Sequence, residues 1–478
     1  MTLADQDLKA AIAVTRFGLG ARPGEIATAR PDPQGFLLAQ IRREGADAAP
    51  SNGETSAQRI AALREFQQER RAERAEKTAD GQAGETPDPV KMAQNLLRKD
   101  TGADFTARVT LAAATVASFR ERWALFWANH FTVSATKLAT ATVVGPFEAE
   151  AIRPNVFGRF ADLLAAAESH PAMLLYLDQA QSIGPNSQAA EFLQRGRPGS
   201  GAQPVARRAF GLNENLAREI LELHTVGVDG GYSQTDVTEF ARAMTGVSIG
   251  GLRDQGQAFG APVFRAVAHE PGARTIMGVR YAEGGREQSG AILADLARKP
   301  ETARFVCGKI ARHFVADDPP PALVERLTKA WASSNGDLGR VAQALVSAPE
   351  AWETPQEKFK TPYEFIVSSY RAAGVRPSGF QKLAPILIAL GQKPFSAPSP
   401  KGWPDDAASW AAPDAIVKRM QYAQAFTAVA TLDRDPKDLA QDALGARLSP
   451  DTAKAVARAE SRPEGFALLL MSPEFQRR

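Results

Sequence analysis

Apolar residues recur at helical spacing along almost the whole chain, while strand-like runs are confined to one short stretch. This periodicity constrains the fold more than any motif, because a 3.6-residue repeat gives each element one apolar stripe that must be buried against another. The periodicity therefore predicts an all-α, large, multi-helical fold with one small β-hairpin and a protruding charged helix, and 478 residues are enough for two to four domains or one large one. The hairpin is expected from Pro262–Val267 and Arg274–Tyr281, with Pro271-Gly272 marking the turn between them.

Punctuation subdivides the pattern. Residues 45–55 and 78–89 are rich in Ala, Gly, Pro, Asp, Glu and Ser, the composition of flexible linkers. They flank Ser56–Lys77, a charged run whose only sizeable apolar residues are Ile60, Leu63 and Phe66. Residues 45–90 thus read as a flexible charged insertion carrying an exposed helix, and residues 196–204 as a mobile loop. Ser347-Ala348-Pro349-Glu350 and Ser472-Pro473-Glu474-Phe475 each follow an apolar run and read as helix starts capped by their serines.

Composition excludes several classes of function. The 57 Lys and Arg against 54 Asp and Glu give a net charge of +3 with no basic block, which argues against a nucleic-acid partner. One cysteine, Cys307, excludes an intrachain disulfide or a cysteine-built metal site, and its apolar flanks predict a buried thiol. The five histidines are far apart in sequence and show no metal-ligand spacing. No apolar run approaches the roughly 18 residues of a membrane span. Met1–Leu8 carries two acids and no basic start, so the chain as written reads as cytoplasmic unless a leader has been removed. Phosphate-binding loops, dinucleotide fingerprints, nucleophile elbows and the H-E-x-x-H motif are all missing.

Three stretches carry residues with chemistry. In Gly211–His224, Asn213 is a plausible helix cap. On a regular helix Asn215, Arg218, Glu219 and Glu222 then fall within roughly 100° of one another, beside an apolar face of Leu212, Leu216, Ile220 and Leu223. If the polar stripe faces a cavity, its two carboxylates can share a proton or bind a hard cation. The competing reading is an amphipathic surface helix with an Arg–Glu contact. In Arg120–Phe131, His130 lies among Trp123, Phe126, Trp127 and Phe131. An imidazole there must find a partner, either a carbonyl in the core or a substrate at a pocket edge. Asp229-Gly230-Gly231-Tyr232-Ser233-x-x-Asp236 has the spacing of half a calcium loop, but Thr225 and Gly227 supply no carboxylate at its first positions. A Gly-Gly turn with a helix capped by Ser233 or Thr235 fits better.

Taken together these blocks resemble the bacterial domain-of-unknown-function 1800 family. The resemblance rests on Arg16-Phe17-Gly18-Leu19-Gly20, Phe126–Phe131, His170–Leu174 with Tyr176-Leu177-Asp178, and Gly184–Ser187. It continues through Leu212–Glu219 to Tyr232, Ala241-Arg242 with Thr245-Gly246, the His269 turn, Arg312–Val315 and Lys401-Gly402-Trp403-Pro404. These blocks span nearly the whole chain, so the resemblance implies one family-wide helical domain over residues 1–478, a single domain; the family's name assigns no activity. The resemblance implies a pattern strong at Asn213, Glu214, Asn215, Arg218, Glu219 and Glu222. It sets His224 aside, because relatives often carry an aromatic residue there, and it accepts His269-Glu270 in place of His-Asp. It also implies relatives that are often exported, and a neighbouring gene product of phosphatase/sulfatase-like fold.

The expected site is a pocket between helices 120–131 and 213–224. Glu219, Glu222 and His130 are its proton-transfer candidates, and Arg218, Asn213, Asn215, Asp178, Arg242 and His269 its substrate-binding candidates. No metal is assigned and the cofactor is unknown. The reaction expected is hydrolysis or group transfer on a polar or anionic substrate. The alternative is a non-catalytic binding or assembly protein that works with the phosphatase/sulfatase-like product.

Overall fold

The helical periodicity becomes a stack of short helices around two hydrophobic cores. The computed structural model describes residues 3–42, 53–79, 89–195, 211–251, 259–353, 355, 357–430 and 433–478. The first core gathers Ala10–Leu37, Phe119–Leu177, Leu216–Met244 and Ile276–Trp352. The second gathers Phe105–Ala113 with Tyr363–Phe475, and Leu19 and Val144 reach into it. The predominantly helical character expected from the sequence is present. Among the described residues no helix is long and apolar enough to cross a membrane.

Helix Ser118–His130 is the spine of the first core. Trp123 and Trp127 on it are fully buried. The Trp123 indole, which must place its N–H when buried, donates to the carbonyl of Val156 at 2.7 Å. Cys307 is buried as expected.

Buried arginines tie helices together, and their targets follow from helix geometry. The last carbonyls of a helix have no partner within it, and they lie at its negative end. Arg371 donates to the carbonyls of Ala112 and Thr115, where helix Pro89–Ala114 ends, and to both oxygens of Glu25 at 2.9 and 2.7 Å. Arg122 reaches the carbonyl of His313 at 2.8 Å, near the end of helix Pro300–Phe314. Arg16 reaches that of Ala351 at 2.8 Å.

The strands differ from the expectation. Pro262–Phe264 (β2) pairs antiparallel with Val247–Ile249 (β1) rather than with the segment that follows it. Arg274–Ile276 (β3) pairs with Val279–Tyr281 (β4). The stretch expected to be one strand is thus itself a hairpin. Met277 and Gly278 both take positive φ, 47° and 78°, which makes the two-residue turn that suits strand twist. The 3-10 turn Ala266–Ala268 then carries the chain away from β2.

The charged helix spans Ser56–Ala79. Gln58, Glu65 and Gln67–Glu69 are exposed along it. Its first turns are anchored: Ser56 Oγ donates to Glu150 at 2.6 Å, and buried Arg59 pairs with buried Asp104 at 2.6 Å. Most of the two flanking linkers, and the whole of 196–204, lie outside the described residues. Ser472 caps its helix by accepting from the Phe475 N–H at 3.2 Å. Ser347, by contrast, ends helix Leu338–Ser347, and Ala348 separates it from Pro349–Glu353, so that expected cap does not form.

Candidate functional site

The Asn213–His224 segment is helical in two registers. Asn215–Glu219 is α-helical, and Ile220–His224 winds as a π-helix. Thr225 Oγ1 bonds the Ile220 carbonyl at 2.6 Å, and the Gly227 N–H bonds that of Leu221 at 3.0 Å. A π turn inserts an extra residue, so the 100° steps that align the stripe do not hold past Glu219. Asn213 lies one residue outside the helix cap, Glu214. Its Oδ1 accepts from the Asn215 N–H at 2.9 Å and its amide donates to the Leu177 carbonyl at 2.9 Å. Its amide is therefore committed to the backbone. The Asn215 side chain is exposed.

Glu214 is the hub of the outer face. It accepts from Thr238 Oγ1 at 2.6 Å, Gln234 Nε2 at 2.8 Å and Arg218 at 3.1 Å. Those bonds, that from Thr238 foremost, hold its carboxyl below the usual range. Arg218 also donates to Gln234 at 2.9 Å. Glu219 and Glu222 are half-buried. Burial raises the Glu219 carboxyl; His224 and Arg218 oppose this, while Glu222 and Glu168 add to it. Burial and the same Glu219 charge push the Tyr176 phenol up to about 12. Burial, then the charge of Glu222, raises the Tyr232 phenol, which hydrogen-bonds Glu222.

Behind this face lies a residue the sequence reading missed. Glu168, on helix Phe160–Ser169, and His224 are both fully buried. Glu168 Oε1 stands 2.7 Å from His224 Nδ1. The approach is off line, so neither oxygen of Glu168 and neither ring nitrogen of His224 makes a hydrogen bond. His224, set aside from the sequence, is thus the ionisable group in closest contact with Glu168. The one available signal was an imidazole in an apolar run, Leu223-His224-Thr225-Val226.

The other expected members fall elsewhere. His130 is enclosed by Phe126, Trp127, Phe131 and Phe160. Its Nε2 meets the His224 backbone carbonyl at 3.1 Å, not a carboxylate of the stripe. The two helices therefore meet through rings and a backbone bond, which corrects the expected pocket between them. Burial, then Lys309 and His224, holds the His130 ring well below its ordinary value. Asp178, in the left-handed region at φ 58°, pairs with Lys137 at 2.7 Å on the surface. Arg242 pairs with Glu239, which also receives Arg274 at 3.3 Å. His269 Nδ1 sits 2.8 Å from the Thr245 carbonyl, beside Glu270, which binds the Asn186 N–H at 2.8 Å and its amide at 2.6 Å. The half-calcium-loop segment forms a helix start, with Ser233 and Asp236 as a reciprocal capping box. Among the described residues no group of three metal-ligating side chains occurs.

A second buried centre joins three of the sequence blocks. Asn129 brackets Trp403, accepting from its N–H at 2.8 Å and donating to its carbonyl at 3.0 Å. Gly402 allows this closeness: at φ 86°, a Cβ there would stand 2.5 Å from the Asn129 carbonyl oxygen. His313 Nδ1 then meets Asp405 at 2.8 Å. Asp405 also binds Arg478 at 2.9 Å and Lys358 at 3.5 Å. Arg478 pairs with Glu364, and the Arg122 Nε donates to His313 Nε2 at 3.3 Å. Burial pushes the Asp405 carboxyl up to about 7 against the pull of Lys358 and Arg122. The His313 ring is held well below its ordinary value by burial, then by Arg122, Arg478 and Lys358. A cleft with about 90 Å³ of enclosed space opens beside this network.

Two helical cores, arginines that cap helix carbonyls, and ionisable side chains drawn together at two centres define the class of this protein. The chain belongs to the DUF1800 family, described as a protein of unknown function, whose model matches residues 12–477. The comparisons with curated proteins and with solved structures find no match.

Proposed function

We propose that the chain is an enzyme performing acid–base chemistry on a polar substrate at the Arg218–Glu222 face, with Glu219 as the proton carrier. The observation that supports this reading is the setting of Glu219. It is half-open to solvent, raised by burial, and flanked by Glu222 with the Glu168–His224 pair behind it. A carboxyl raised above its ordinary range keeps its proton closer to neutral pH, as a general acid must, and a second carboxylate in a different environment supplies the base. Tyr232 orients Glu222. Arg218, more than a third exposed, offers an anion contact once Gln234 yields. His130 acts as a positioning residue that holds the His224 backbone. The reaction class is hydrolysis or group transfer.

The test is a panel of chromogenic esters, glycosides, phosphate esters and sulfate esters, run on wild type, Glu219→Gln and Glu222→Gln. The expected result is a wild-type activity lost at least a hundredfold in Glu219→Gln, with the melting temperature retained. A wild-type chain inactive on every member, or a Glu219→Gln variant as active as wild type, overturns the proposal.

A further inference from the structure

We propose that the cleft beside Trp403 is a binding site for a small organic anion with an apolar body, of the class of aromatic or short aliphatic monocarboxylates. The enclosed space is small, about 90 Å³, which limits an occupant to a few heavy atoms seated at the mouth of the cleft. Leu19, Leu125, Phe395 and Trp403 give it a mainly apolar wall. Arg108 lines it from helix Pro89–Ala114. Its guanidinium lies 5.1 Å from the Tyr363 ring centre and 5.4 Å from that of Phe395. Among the described residues its one ion-pair contact is Glu148 at 3.3 Å, and its Nε meets no acceptor. Clamped by two rings and only partly neutralised, this guanidinium is oriented to take a carboxylate. Lys393, exposed at the same cleft, has an ammonium with no partner among the described residues.

The acids on the wall do not oppose this. Glu364 is paired with Arg478, and Asp405 with Arg478, Lys358 and His313. Their charge is answered from behind the wall, whereas Arg108 and Lys393 have charge to spare. Of the other amides and guanidinium at the cleft, Asn129 and Arg122 are committed to the Trp403 backbone and to carbonyls and His313, and the Gln392 oxygen accepts from the Tyr363 N–H at 2.7 Å. The cleft therefore presents a cationic hook and an apolar bed, which together fit a monocarboxylate better than either an inorganic anion or a neutral ligand.

Titration calorimetry on the full chain tests this with benzoate, hexanoate, benzamide and inorganic phosphate. Benzoate is expected to bind one per chain, with benzamide and phosphate each at least tenfold weaker. Arg108→Gln should weaken benzoate at least tenfold, and Lys393→Gln at least threefold. Lys393 is at the surface, so its variant decides the matter should Arg108→Gln not fold. Four results overturn the proposal: benzamide binding as well as benzoate; phosphate binding as well as benzoate; variants that bind benzoate like wild type; or a folded wild type that binds neither carboxylate.

Discussion

The two buried ionisable centres differ in one respect that separates their roles. Around His313 and Asp405 most polar atoms have found partners, Arg478 Nε excepted: Asp405 meets His313, Arg478 and Lys358, and Arg122 divides its donors among His313 and backbone carbonyls. Around Glu168 and His224, two ionisable groups touch at 2.7 Å, yet their polar atoms make no hydrogen bond. A satisfied buried network holds a fold together, because removing one member strands the others. An unsatisfied one is kept at a cost in stability, which points to use rather than support.

Asp405→Ala should show the largest effect. It strands His313, Arg478 and Lys358, and the expected loss is about 3–5 kcal/mol, read as a fall in the urea midpoint. If the variant unfolds with wild type, the network is not holding the two cores and the contrast collapses.

Acid titration comes next. The His130 ring is held well below 6.5 in the folded chain. The unfolded chain therefore takes up the proton first. This contribution to stability is complete above pH 6.5 and is lost as the pH falls below it. His130→Asn should remove one proton from that slope, about 1.4 kcal/mol per pH unit at most. Urea midpoints of wild type and variant at pH 7, 6 and 5 give the comparison; parallel lines would show that His130 is not held neutral.

Glu168→Gln sharpens the contrast directly. Its carboxylate has no in-line donor to lose, and burying its charge costs free energy. Stability is expected to be unchanged or raised by up to about 1 kcal/mol. A loss matching that of Asp405→Ala would make both centres structural.

What the sequence revealed of this molecule was its local part. Helical periodicity exposed the architecture, and the Ser233 and Ser472 caps and the buried Cys307 followed from short-range rules. β3–β4 was hidden because the turn at Met277-Gly278 sits inside a run that looks like one strand, and β1 lies upstream of the segment searched. The candidate site was only half legible. Arg218, Glu219 and Glu222 announced themselves by spacing along one helix. Glu168 gave no signal, since an acid on the amphipathic helix Phe160–Ser169 resembles any surface glutamate until the fold sets it against His224. The His313–Asp405 pair is likewise made by the fold alone, although both residues lie in or beside blocks the sequence singled out. The π turn at Ile220–His224 also escaped, because nothing in Ile-Leu-Glu-Leu-His marks where a helix will widen.

The smallest effect should come from Glu219→Gln, and it carries the most about use. Its carboxyl is raised in the folded chain, so between its unfolded and folded values the native state holds the extra proton. The stability this gives is full below about pH 4.3, the ordinary value for glutamate, and is lost as the pH rises through the folded value. Glutamine carries no such penalty. Glu219→Gln should therefore match wild type in acid and exceed it at neutral pH by only a few tenths of a kcal/mol, because Glu219 remains half open to solvent. Paired melts at pH 4 and pH 7.5 read the difference. A variant less stable than wild type at pH 7.5 would place Glu219 with Asp405 among the supports. A variant slightly more stable would place it with Glu168, among groups the fold holds against their own preference.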